Sequence, residues 1–209
     1  MNVNIDYSLN TLSKIIGGKF INQNSVYPRH IILDSRKVLF PEQSIFFCLN
    51  AVSTNSIEFI KDLYKMGVIN FVIENNIVDP LQYPNANFFF TKNVLKAFQK
   101  LAAFHRSSFS NHDFKVIGIT GSNGKTIVKE WLNELLQTDH TIVRSPKSYN
   151  SQIGVPLSVL QINATHTLAI FEAGISKPGE MEILEKIIKP NYGILTNIVE
   201  AHNSGFESR

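Results

Sequence analysis

Between Lys115 and Leu136 the chain reads Lys-Val-Ile-Gly-Ile-Thr-Gly-Ser-Asn-Gly-Lys-Thr-Ile-Val-Lys-Glu-Trp-Leu-Asn-Glu-Leu-Leu, a glycine-rich turn between an apolar run and a helix-forming run. Those residue types at that spacing suit phosphate. Gly118, Gly121 and Gly124 permit backbone conformations and close approach that a Cβ would forbid. Thr120, Gly121, Ser122, Asn123, Gly124, Lys125 and Thr126 form the expected cradle, in which Lys125 supplies a point charge to β/γ-phosphates and Thr126 a hydroxyl to Mg²⁺. The departure from the common G-x-x-x-x-G-K-[ST] pattern is Ile119, which stands where its first glycine would be. Read without that chemistry, the same residues would be a glycine turn carrying a surface lysine.

The cradle needs a strand before it and a helix after it. Val116, Ile117 and Ile119 suit a buried parallel strand. From Lys125 the residues Ile127, Val128, Trp131, Leu132, Leu135 and Leu136 recur at helical spacing and predict one inward face. The free N–H groups and positive dipole end of that helix would point into the turn. Two further loops leave strands of the same predicted sheet: one after Thr167–Glu172 and one after Tyr192–Thr196. In an open parallel sheet, ligands bind outside the carboxyl ends of the strands. Glu172 is therefore placed to serve a hard cation, although position alone leaves it equally open to being a solvated strand end. His202, in the loop after Thr196, is an unusual ligand for Mg²⁺ and by itself reads as an exposed loop histidine.

Composition narrows the class. A chain of 209 residues, 44% hydrophobic, can bury a proper core, and its net charge of +3 is spread without a basic block, which argues against nucleic acid. The single cysteine, Cys48, lies in the apolar run Ile45–Leu49 and reads as buried filler in a reducing compartment. No secretory leader pattern and no apolar stretch long enough for a membrane span is present, so a cytoplasmic protein is expected.

The rest of the chain alternates helix and strand. Ser8 caps a helix with Leu9, Leu12, Ile15 and Ile16 inward; strands are expected at Arg29–Asp34, Ser44–Leu49, Val68–Ile73 and Phe88–Phe90. Helices are expected at Ser56–Met66 and from a cap at Asn93 to about Arg106, with Phe98, Leu101 and Phe104 inward. Beyond the cradle, short helices at Val155–Leu160 and Pro178–Ile188 separate the strands. The expected fold class is α/β: a small N-terminal α/β domain, residues 1–110, followed by part of a P-loop parallel-sheet domain, residues 111–209. Only about three strands are expected in that second sheet, which suggests a fragment.

The loop Thr120-Gly-Ser-Asn-Gly-Lys-Thr126 resembles the variant phosphate loop of the Mur ligase family, the ATP-dependent amide-bond ligases of peptidoglycan precursor synthesis. Three later segments are similar to the family's ordered motifs: Tyr149–Pro156, Phe171-Glu-Ala-Gly174 and Thr196–Phe206. The resemblance implies a substrate domain over residues 1–110 and an ATPase domain over residues 111–209. It also implies that Lys125 and Thr126 bind ATP phosphates and Mg²⁺, that Glu172 and His202 serve a metal, and that Asn150 lines the same site. Ser151 departs from the paired asparagines common at that point. Near the N-terminus, Asp34-Ser-Arg-Lys37 followed by Ser44–Leu49 resembles the signature that holds the UDP end of the muramyl precursor, which implies Ser35 and Arg36 as substrate contacts. The family's glycine-rich stretch after this strand is here Asn50–Ser56, without glycine. Standing alone, Asp-Ser-Arg is also compatible with a turn and a surface ion pair.

Within the family the resemblance is greatest to ligases that add D-alanyl-D-alanine to a UDP-N-acetylmuramoyl-tripeptide, including a form fused to an alanine racemase. It implies a monomer that needs further domains for turnover. Two other readings stay open: a non-catalytic module that binds nucleotide or UDP-precursor, and a P-loop ligase for another acceptor such as folate.

Overall fold

The structure, a computed structural model, describes residues 3–49, 56–74, 78–110 and 113–198. The chain divides into two compact units, residues 1–101 and 102–209. The boundary expected near residue 111 falls on residues outside the described set. Among the described residues no helix is long and apolar enough to cross a membrane.

The first unit contains β1 (Val3–Asn4), α1 (Leu9–Ile16), β2 (Phe20–Ile21), β3 (His30–Ile32), β4 (Ser44–Phe47), α2 (Ile60–Lys65), β5 (Asn70–Glu74), β6 (Asn87–Thr91) and the start of α3 (Val94–Ser107). Its six strands run in the order β1-β3-β4-β5-β6-β2. The central four are parallel, and β1 and β2 close the edges antiparallel. These two edge strands are two residues each, too short for any alternation to show in the sequence. The core is aromatic: Phe46, Phe47, Phe71, Phe88 and Phe89 are all buried, each contributing about 2–3 kcal/mol by area. The capping expectations at Ser8 and Asn93 hold, with Thr11 N–H donating to Ser8 Oγ at 3.2 Å and Lys96 N–H to Asn93 Oδ1 at 2.8 Å.

The second unit contains β7 (Lys115–Thr120), α4 (Lys125–Leu136), β8 (Ile142–Arg144), α5 (Gly154–Val159), β9 (Leu168–Glu172), α6 (Glu180–Ile188) and β10 (Tyr192–Leu195). Its sheet has four strands, one more than expected, all parallel in the order β10-β7-β9-β8. The additional strand, β8, is three residues long and carries no periodic signal. From β9 the chain crosses β7 to reach β10, so the carboxyl ends of β7, β9 and β10 border one crevice.

Helix α4 corrects the expected inward face. Val128, Leu132 and Leu136 pack on the sheet core formed by Ile119, Leu168 and Ile170, but Ile127, Trp131 and Leu135 are 57%, 67% and 72% exposed. The helix carries two adjacent apolar stripes, and the side that turns inward beside Val128 and Leu132 is instead the polar one, Lys129 and Asn133. Phe104 of α3, expected inward, is also exposed.

Past residue 101, α3 helps hold this second unit. Buried Arg106 donates through Nε to the Ile188 carbonyl at 2.9 Å and through its two terminal nitrogens to the carbonyls of Lys189 and Phe109 at 3.0 and 3.1 Å. The first two acceptors stand at the C-terminus of α6, where helix geometry leaves carbonyls without intrahelical donors and where a cation is favoured. Arg106→Ala strips donors from these carbonyls and should lower the unfolding free energy by about 2–4 kcal/mol. Urea denaturation followed by circular dichroism checks this, and an unmoved midpoint would remove Arg106 from the structural account.

Candidate nucleotide site

The glycine turn follows β7 directly and opens to solvent: Asn123 and Gly124 are exposed, and Lys125 and Thr126 half-buried. Gly121 has φ +130°, and a Cβ there would lie 2.2 Å from Thr196 Oγ1 and 2.9 Å from the Asn197 carbonyl. Only glycine lets the loop approach the end of β10 so closely. That approach is hydrogen-bonded. Ser122 N–H donates to the Asn197 carbonyl at 2.9 Å and Asn123 N–H to Asn197 Oδ1 at 2.9 Å, while Thr196 Oγ1 donates to the Asn123 carbonyl at 2.6 Å. Two amides expected to face phosphate are thus taken up by Asn197. The donors left for an anion are those of the first turn of α4, together with Lys125, whose Nζ donates to the carbonyls of Gly121 at 2.5 Å and Ser122 at 3.2 Å.

Across the crevice, Glu172 ends β9 fully buried. It is no solvated strand end. Thr126 Oγ1 donates to Glu172 Oε2 at 3.1 Å and lies 3.4 Å from Ser148 Oγ. Its other carboxylate oxygen, Oε1, lies 2.9 Å from Lys129 Nζ, and both of these side chains are 0% exposed. The alignment is that of a charge contact: Oε1 accepts no hydrogen bond, while the same ammonium donates to the carbonyls of Ser145, at 2.8 Å, and Lys147. Glu130 Oε1 also stands 3.1 Å from the same ammonium. Burial alone would raise the Glu130 carboxyl, but Lys129 and Arg144 outweigh it and hold the group below the usual carboxylate range.

Asn150 is brought to the same edge. Its carbonyl accepts from Gly174 N–H at 2.8 Å, and its side chain packs so closely on Gly174 that a Cβ there would lie 2.9 Å from the amide carbon. His202 lies outside the described residues. Thr126, Glu172 and Asn150 therefore gather at one crevice with the glycine turn.

Lys129 and Ser145 were not anticipated from the sequence, and Asn197 was expected only as part of a converging loop. A lysine four residues after Lys125 reads as a solvated helix position, and Ser145 shows itself only through geometry: its hydroxyl accepts from Glu172 N–H at 3.0 Å. Asn197 had a signal, since it follows a strand end, and it lies inside the Thr196–Phe206 segment.

A hard cation fits these groups. Mg²⁺ takes oxygen ligands and is commonly held by one or two carboxylates plus phosphates, and here a threonine hydroxyl and the Oε2 of a buried carboxylate stand side by side at 3.1 Å. Among the described residues there is no gathering of three or more His, Cys, Asp or Glu side chains of the kind that binds metal without a nucleotide.

In the first unit, Asp34 and Arg36 make a two-bond ion pair, Nε to Oδ1 at 2.8 Å and a terminal nitrogen to Oδ2 at 2.9 Å, with the arginine side chain 85% exposed. Hydrogen bonding from Arg36 keeps the Asp34 carboxyl well below its ordinary range. Ser35 sits half-buried in the turn between them.

Residues 119–209 match the Mur ligase middle domain. The chain is 37% identical over 182 residues to a UDP-N-acetylmuramoyl-tripeptide–D-alanyl-D-alanine ligase of Borreliella burgdorferi, a match covering 84% of this chain and 39% of that protein. Its fold superposes on the crystal structure of MurF from Acinetobacter baumannii with TM-score 0.85 and 24% identity, covering 99% of this chain and 44% of that one. It also superposes on the MurF ligase from Thermotoga maritima in complex with ADP, with TM-score 0.72 and 28% identity over 83% of this chain and 38% of that one. The chain thus spans about two fifths of the length of the relatives it matches. With the middle-domain match beginning at the end of β7 and running through the crevice, the chain belongs to the Mur ligase family.

Proposed function

We propose that this chain supplies the precursor-binding and ATP-phosphate-binding parts of a ligase that joins D-alanyl-D-alanine to a UDP-N-acetylmuramoyl-tripeptide in the cytoplasm. The observation that carries the reading is the 3.1 Å contact between Thr126, in the phosphate loop, and the buried carboxylate of Glu172. Its support from relatives is the ligase activity for which the Borreliella burgdorferi protein is named and the ADP of the Thermotoga maritima structure.

In this reading the precursor's terminal carboxylate attacks the γ-phosphorus of ATP and ADP leaves. The amine of D-alanyl-D-alanine then displaces phosphate from the acyl phosphate, losing a proton as the amide forms. Little covalent work falls to the protein, so its contribution is positioning and charge. Lys125 exchanges its neutral carbonyl partners for phosphate oxygens, and the first-turn amides of α4 bind beside it. Thr126 and Glu172 would hold Mg²⁺, which neutralises charge on the transferring phosphoryl. Asn150 lines the crevice, and the role of a further metal group falls in this reading to His202, as the family resemblance implies.

The Arg36 fork is oriented by Asp34, which uses two of its five N–H donors and leaves three for the precursor's diphosphate, with Ser35 offering a hydroxyl beside it.

Lys125→Ala should abolish ATP-dependent phosphate release by the full-length protein while leaving UDP-precursor binding intact; release at the unaltered rate would sink the assignment. Arg36→Ala should weaken binding of a UDP-muramyl peptide about tenfold or more, with Mg-ATP binding unchanged in the same calorimetric series. Equal precursor affinity in the variant would take Arg36 out of the substrate site.

A further inference from the structure

A fully buried lysine one helical turn past the phosphate loop has no part in the reading above. Lys129 and Glu172 are both 0% exposed and 2.9 Å apart. Removing two charges from water is costly, and such pairs stabilise a fold poorly compared with apolar side chains of similar volume. The arrangement is nonetheless built up around the ammonium. It is held by the carbonyls of Ser145 and Lys147 and by Glu130, and Lys147 takes φ +51°, a left-handed conformation uncommon for a residue with a side chain. Ser145 also receives the Glu172 amide, so the lysine and the carboxylate are anchored to one short segment.

This frame treats the two oxygens of Glu172 differently. Oε1 faces a fixed cation and Oε2 faces the Thr126 hydroxyl. A metal ion entering at Oε1 would stand beside the ammonium, whereas one entering at Oε2 has the carboxylate between itself and that charge. We propose that Lys129 is a positioning residue that restricts Glu172 to one-oxygen coordination through Oε2 and thereby sets the site's preference for Mg²⁺ over Ca²⁺. The inference rests on the nucleotide-site reading above. Mg²⁺ requires a compact octahedron and takes single oxygens, while the larger Ca²⁺ gains by two-oxygen carboxylate coordination and higher ligand number. Holding Oε1 away from the metal therefore withholds a ligand that Ca²⁺ would use and Mg²⁺ would not.

The test compares Mg²⁺ and Ca²⁺ affinities of the ADP-loaded full-length protein by calorimetry, for the unaltered chain and for Lys129→Met. Loss of the ammonium's charge acts on both divalent ions alike, so the ratio of the two affinities isolates geometry. The preference for Mg²⁺ should fall at least tenfold in the variant; a ratio within twofold of the unaltered one overturns the proposal. A purely structural lysine would alter stability and both affinities but not their ratio. Should Lys129→Met not fold, crystals of the unaltered protein with ADP and Ca²⁺ decide the matter. Coordination by Oε2 alone, with Lys129 Nζ still against Oε1, supports the inference, and both oxygens on the ion overturn it. If the unaltered protein shows no divalent-dependent ADP binding at all, the nucleotide-site reading falls and this inference falls with it.

Discussion

A carboxylate at the buried end of a parallel strand must find a cation, and in this protein the requirement shapes the whole second unit. Glu172 ends β9 without solvent contact, and Lys129 comes from α4 to meet it. An uncompensated buried charge of this kind would cost several kcal/mol. By apolar periodicity alone α4 could rest on the sheet with Ile127 and Trp131 or with Val128 and Leu132. Only the second rotation brings Lys129 under the helix, and it leaves a tryptophan two-thirds exposed. The rotation adopted joins the charge pair to the packing of Val128, Leu132 and Leu136, with Ile127, Trp131 and Leu135 left exposed. The same rotation sets Thr126 with its hydroxyl on the other oxygen of the carboxylate.

The loops at the strand ends are held by each other as well as by the sheet. Gly121 admits Thr196 and Asn197 to van der Waals contact, and the resulting hydrogen bonds run between the loop after β7 and the loop after β10. Gly174 does the same for Asn150 on the other side. In each case the missing side chain makes room for a polar partner from another strand end. Sites assembled in this way are precise because the tolerance for displacement is small: a single added methyl group at Gly121 would meet an oxygen at 2.2 Å.

The alternating α/β architecture, the parallel sheet of the second unit, the helix caps at Ser8 and Asn93 and the strand–turn–helix around the phosphate loop were all legible in the sequence, because each rests on local pattern. The short strands β1, β2 and β8 were not, since two or three residues show no period and their pairing is decided by distant partners. Within the site, the glycine turn, Thr126 and Glu172 could be named from their places at strand and helix ends. Lys129 and Ser145 could not. Their roles come from a contact spanning 43 positions and from a hydroxyl aimed at one backbone amide, neither of which leaves a trace in spacing. The rotation of α4 was misjudged for the same reason, as a pattern of apolar residues says nothing about an ion pair that competes with it.

Two lysines one turn apart on α4 show how the site separates fixed from exchangeable charge. Lys129 is bound to carboxylates and carbonyls in a dry environment, where breaking any contact strands a charge. Lys125, half-buried at the crevice, is bound among the described residues to the neutral carbonyls of Gly121 and Ser122. A phosphate oxygen carries a negative charge that a carbonyl lacks, so it attracts the ammonium more strongly than either carbonyl does. The carbonyls keep the ammonium close to where it is needed at little cost to its later use. Were Lys125 held by a carboxylate, as Lys129 is, an incoming phosphate would have to displace a partner of its own kind and would gain far less by doing so.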